Sequence, residues 1–164
     1  MNHKRLYLGL GLLGLMAVAT AAITVQRVLI RAAASNGSGQ FVMNLQAMRI
    51  YHDTAGERLL GQGSFVLTQG DQRYPMQLQR LTAMEIFELE DGVYRITLEG
   101  SVRFAPALFT PRSQRPVTGT FRLVVFDYTE DSESDSVEFR LVTNQGRRYD
   151  FFGEVSSGVL HLSP

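Results

Sequence analysis

The chain contains no cysteine. Disulfides, thiolate nucleophiles, zinc–thiolate centres and iron–sulfur ligation are therefore excluded. Lysine is nearly absent too: Lys4 stands alone, and arginine supplies the remaining basic residues. Basic and acidic residues balance at 16 each, but Lys4, Arg5, Arg27 and Arg31 flank one apolar stretch and leave the rest mildly acidic. With no basic run there is no electrostatic footprint for nucleic acid. Also missing are the H-E-x-x-H, G-x-S-x-G, Walker and dinucleotide motifs. Of the three histidines, His3 lies in the basic leader, His52 precedes Asp53 at an expected strand end, and His161 lies in the expected last strand. None has partners at the spacing of a metal site or a Ser-His-Asp set. No catalytic, cofactor-binding or metal-ligating residue is assigned, and no enzyme activity is expected.

Charge is absent from residues 6–25, where Leu6, Leu8, Leu10, Leu12, Leu13 and Leu15 load the first half. A helix of that length matches the hydrocarbon thickness of a bilayer, roughly 30 Å. The run is expected to be a single transmembrane helix that contacts the lipid bilayer. A basic leader and small-residue sites around Ala17, Ala19 and Ala21 keep a cleavable signal peptide as the alternative. Arg27 and Arg31, one helical turn apart, stand where the far interface would be, and residues 23–34 can continue the helix. Residues 35–39, Ser-Asn-Gly-Ser-Gly, read as a flexible linker. The organisation expected is an anchor over 1–34, a linker over 35–39 and an extracytoplasmic β-domain over 40–164. The membrane is expected to be a bacterial cytoplasmic or equivalent internal one, with the amino terminus inside.

After residue 40 a two-residue period takes over. Tyr94, Ile96, Leu98, Val102 and Phe104 alternate with polar neighbours, as do Val137, Phe139 and Leu141. Two hairpins can be registered from their turns. Asp91-Gly92 as a two-residue turn sets Leu89 against Tyr94, Phe87 against Ile96 and Glu88 against Arg95. Asn144-Gln145-Gly146 as a three-residue turn sets Leu141 against Tyr149, Phe139 against Phe151 and Arg140 against Asp150. Strands are also expected over 41–51, 59–68, 74–81 and 159–162. Gly61-Gln62-Gly63 suggests a bulge, and Thr82 with Glu85 offers a short helix over 83–89 as the weaker reading. Eight or so antiparallel strands point to an all-β sandwich, with a closed barrel as runner-up.

Two surface features carry functional expectations. In residues 105–116 three prolines forbid regular structure, while Leu108 and Phe109 stand beside Arg112 and Arg115, a composition suited to partner contact. A sheet-to-sheet crossover with the apolar pair tucked inward is the bland alternative. Asp127, Glu130, Asp131, Glu133 and Asp135 could converge on Ca²⁺, although a solvated acidic loop explains them as well. The function expected is a membrane-tethered, non-catalytic accessory or assembly subunit that binds a membrane complex or an envelope component. A barrel carrying a lipid or other apolar ligand is the alternative, to be separated by whether the interior holds a lined cavity.

Overall fold

The computed structural model describes residues 23–89, 92–105, 116–128 and 134–163. Its eight antiparallel strands are β1 (Ile23–Asn36), β2 (Gly39–His52), β3 (Gly56–Gln69), β4 (Gln72–Glu88), β5 (Val93–Phe104), β6 (Thr118–Tyr128), β7 (Ser136–Thr143) and β8 (Arg148–Ser163). They follow one another around a closed barrel, β8 returning to pair with β1. The expected sandwich is thus corrected to its runner-up. Every strand pairs with both of its neighbours around the ring, so no pair of edge strands divides it into two sheets.

The first strand corrects a second expectation. Residues 23–34 do not extend a helix, because Val28, Ile30, Ala32 and Ala34 alternate inward and are buried, while Arg27 and Arg31 face out. Residues four apart share a face in a strand as well as in a helix, so the arginine spacing was compatible with both. The β-branched Ile23, Thr24, Val25, Val28 and Ile30 favour the strand. Residues 35–39 are likewise no loose linker. Ser35 and Asn36 end β1, Gly39 begins β2, and only Gly37 and Ser38 turn between them. Asn36 Oδ1 accepts from the Ser38 backbone N–H at 2.9 Å, and Asn36 Nδ2 donates to the Phe152 carbonyl at 2.6 Å. Among the described residues no helix is long and apolar enough to cross a membrane. The expected span over 6–25 falls on residues 1–22, outside the described ones, and on the first three residues of β1.

The hairpin at Asn144-Gln145-Gly146 has the expected register, Leu141 to Tyr149, Phe139 to Phe151 and Arg140 to Asp150, with Gly146 at φ 78°. The hairpin at Gly92 is shifted by one. Leu89 N–H donates to the Val93 carbonyl at 2.7 Å, so Gly92, at φ 77°, closes a loop of three residues rather than two. One residue of slip reverses the faces. Glu88 now meets Tyr94, Ile86 meets Ile96, and Phe87 meets Arg95 on the outside, the guanidinium carbon 4.9 Å from the ring centroid. The short helix over 83–89 is strand instead.

Away from the strand ends, inward positions are apolar, and their centre is aromatic. Phe41 stacks on Phe139 at 4.4 Å and lies 5.6 Å from Phe151 and 5.9 Å from Phe65, while Phe65 meets Phe121 at 5.2 Å. Outward positions include Arg27, Arg31, Gln40, Asn44, Gln46 and Gln77, all exposed. An apolar interior with a polar exterior is the reverse of a lipid-spanning barrel.

One seam is held by side chains. β3 pairs with β4 only from Ser64 to Gln69, so residues 56–63 keep β2 alone as a partner. The expected bulge at Gly61–Gly63 does not occur, since the β2–β3 register runs unbroken. These residues mark instead where β3 leaves β4. The space a Cβ on Gly61 would need is taken by Leu78 Cδ2, 2.9 Å away, and Leu81 Cβ, 3.2 Å away. Along this seam the pairing of β4 with β5 carries register shifts between Leu78 and Arg80 and between Leu81 and Ala83. Arg49, on β2, spans the gap. Its Nη2 donates to the Met84 carbonyl of β4, its Nη1 to Gln26 Oε1 of β1 at 3.4 Å, and its Nε pairs with Glu57 of β3 at 3.0 Å.

Two outcomes test this account by urea unfolding. Phe41→Ala removes the ring that joins three others and is expected to cost ~3–5 kcal/mol. Arg49→Lys keeps the charge but loses the planar fork, and is expected to cost ~1–3 kcal/mol by leaving acceptors on separate strands unsatisfied. A lysine variant as stable as the parent would show that the seam does not depend on the guanidinium.

Candidate functional site

The strand order sorts the chain's loops onto two ends. The entry end, where β1 begins, carries the turn at 53–55 and the loops joining β4 to β5 and β6 to β7, and β8 finishes there. The far end carries the turns at Gly37-Ser38, Gly70-Asp71 and 144–147, with the connection from β5 to β6.

At the entry end the barrel opens into a cup of about 480 Å³ lined by Gln26, Ile86, Glu88, Tyr94, Asp127, Leu162 and Ser163. Its polar side follows from register alone: Glu88 of β4 pairs with Tyr94 of β5, which pairs with Asp127 of β6, setting the three in a row. Opposite them stand Gln26 of β1 and the last residues of β8. Asp127 is held above the ordinary carboxylate range, first because burial strips it of water and then because the Asp135 charge lies nearby. Ile86 and Leu162 give apolar walls. Two carboxylates and a phenol over such walls suit an amphipathic cation better than a neutral lipid, because charge complementarity is supplied on one side only. Below the cup, Ile30, Leu45, Ile96 and Leu98 are fully buried and close the lumen.

Of the two described histidines, His52 takes a structural place. His52 Nδ1 lies 3.2 Å from the Thr54 N–H, 2.9 Å from its hydroxyl and 3.3 Å from the Ala55 N–H, serving the β2–β3 turn. His161 is exposed on β8. Of the carboxylates suggested for Ca²⁺, Glu130, Asp131 and Glu133 lie outside the described residues. Asp135 is spent on the chain itself: its Oδ1 accepts from the Tyr128 N–H at 2.9 Å and its carbonyl from the Val155 N–H at 2.8 Å. Among the described residues no group of three or more His, Cys, Asp or Glu could hold a metal ion.

Leu108, Phe109, Arg112 and Arg115, the suggested contact residues, also lie outside the described residues. The flanks of their segment are fixed, Ala105 N–H donating to the Pro75 carbonyl and Phe104 N–H to that of Val117, each at 2.9 Å. The segment therefore leaves from the far end of the barrel, not from a sheet-to-sheet crossing. Sequence reading missed the cup altogether. Its signal was the inward parity of Glu88 and Asp127, visible only once the β4–β5 register is correct. No family model, curated protein or solved structure matches the chain.

The raised Asp127 sets a sign for pH dependence. The folded state holds this proton more tightly than the unfolded one, so the contribution is favourable below the unfolded carboxylate value and is lost as pH rises through the folded one. Asp127→Asn removes the loss and is expected to raise the thermal midpoint relative to the parent at neutral pH. The difference should vanish at a pH acid enough to protonate both states. A gain independent of pH would place the effect elsewhere.

Proposed function

We propose that the chain is a membrane-tethered, non-catalytic accessory subunit whose barrel stands on the extracytoplasmic side and binds a membrane complex or an envelope component. The observation that carries this reading is a continuity. The charge-free run over residues 6–25 passes without a spacer into β1, at an end whose rim exposes Ile23, Tyr51, Leu60, Phe87 and Leu89. Exposed apolar side chains gathered where an apolar segment enters suit a body resting against a bilayer interface. Carboxylates share that end, among them Asp53, Glu57 and Glu88, so attraction to anionic headgroups is not what holds it there. The packed aromatic centre supports a binding body over a carrier with a through lumen.

The carrier reading keeps one observation in its favour, the cup itself, whose volume lies within the range of small-molecule sites. On that reading the cargo is a small amphipathic cation held at the entry end.

With the tethered reading, the chain is expected to stay in the membrane fraction through a high-salt wash and to leave only with detergent. In mild detergent it is expected to migrate in a complex larger than its own 18.3 kDa. Release by salt, or a mature amino terminus between residues 19 and 35, would remove the tether. A lone monomer in every mild detergent would remove the partner.

A further inference from the structure

We propose that the far end of the barrel is a docking face for a carboxylate-rich segment of a protein partner. Three rings close the lumen there: Tyr74 of β4 meets Tyr149 of β8 at 4.8 Å, and Phe104 of β5 meets Tyr149 at 6.1 Å. Each ring is preceded by an arginine, Arg73, Arg103 and Arg148. Strand alternation turns the ring inward and its arginine outward. The arginines therefore stand on the outer wall around one capped mouth, Arg73 and Arg103 on adjacent strands and Arg148 on the strand half the ring away from β4, with Arg147 in the adjoining turn. All four arginines are exposed, and none makes an ion pair among the described residues, whereas Arg49, Arg122 and Arg140 do. Asp71 in its turn and Asp150, two residues beyond Arg148 on β8, are the exposed carboxylates of this end among the described residues. Asp53, Glu57, Glu88, Asp127 and Asp135 gather at the other. Arginines outnumber carboxylates at the far end, whereas carboxylates gather at the entry end beside Arg49, Arg58 and Arg95.

Half-buried aromatic rings interleaved with free arginines are the composition of protein interfaces. The guanidinium fork matches a carboxylate in two parallel hydrogen bonds. A lipid surface does not fit. β2 spans 14 residues, so at about 3.3 Å per residue and a tilt near 40° the far end stands roughly 35 Å from the entry end. A second copy offers an acidic end, but that end is where its own apolar segment enters, so two chains tethered to one membrane cannot stack end to end. Both exclusions rest on the tethered reading.

The test uses the full chain in an uncharged detergent, titrated with a fluorescein-labelled oligoglutamate peptide and followed by anisotropy. In parallel, dextran sulfate and phosphatidylglycerol vesicles are titrated and the mass is measured by light scattering. Saturable peptide binding is expected. It should weaken about tenfold in the triple variant Arg73→Gln, Arg103→Gln, Arg148→Gln, and remain in the entry-end control Arg27→Gln, Arg58→Gln. If the triple variant loses its β-sheet circular dichroism, the single variants are compared with the control instead. Absence of saturable peptide binding, or equal loss in the control, overturns the proposal. So does arginine-dependent binding of dextran sulfate or vesicles without binding of the peptide. A mass that grows at low salt and shrinks in the triple variant makes a second copy the occupant and overturns it as well. Release of the chain from membranes by salt, with the titration unchanged, defeats the tether alone.

Discussion

Eight strands close on a lumen whose width is set by their number and tilt, and the side chains pointing inward must fill it. Here Phe41, Phe65, Phe121, Phe139 and Phe151 do so at the centre. The rest of the molecule accommodates that plug. Small residues stand where the wall comes close to a ring, as with Gly100, whose Cβ would lie 3.0 Å from Phe121, and Gly153, whose Cβ would lie 2.7 Å from Phe151. Where β3 and β4 part, leucines and a guanidinium replace the missing ladder. Every strand contributes to the interior, so loss of one large ring is felt around the whole circumference rather than in one hairpin.

Filling the centre confines chemistry to the ends, and the two ends differ. The entry end is acidic, open and rimmed with apolar side chains. The far end is capped by aromatic rings and basic. A structure polarised in this manner orients in the field of whatever it meets, and approach from the two sides follows different salt dependences.

Much of the wall was legible in the sequence, because period-two alternation marks a half-buried strand wherever the other face is wet. Phe139 and Leu141 announced β7 in this way, and Gly146 set its hairpin correctly. The Asp91-Gly92 pair misled by a single residue, since the same dipeptide closes two- and three-residue loops and only the hydrogen bond from Leu89 to Val93 tells them apart. β1 was misread for a different reason. Its apolar content continues that of residues 6–25, and the start of an inward-facing strand inside a long apolar run has no local marker. Closure was illegible because it rests on β1 meeting β8, a pairing between the two most distant segments of the chain. The cup was hidden with it, since its walls come from both.

That pairing also governs when the barrel can exist. Ile30 lies opposite Leu160, and Val28 opposite Leu162. A chain emerging amino terminus first holds an unpaired β1 edge until β8 appears. Hairpins from β2 to β7 can form in sequence as they emerge, but the lumen stays unsealed and its phenylalanines wetted on one side until β8 arrives. A chain without residues 154–163 would keep most of its local pairings and still fail to close. Quality control acting on open β-sheet edges would therefore read the state of β8 before that of any other strand.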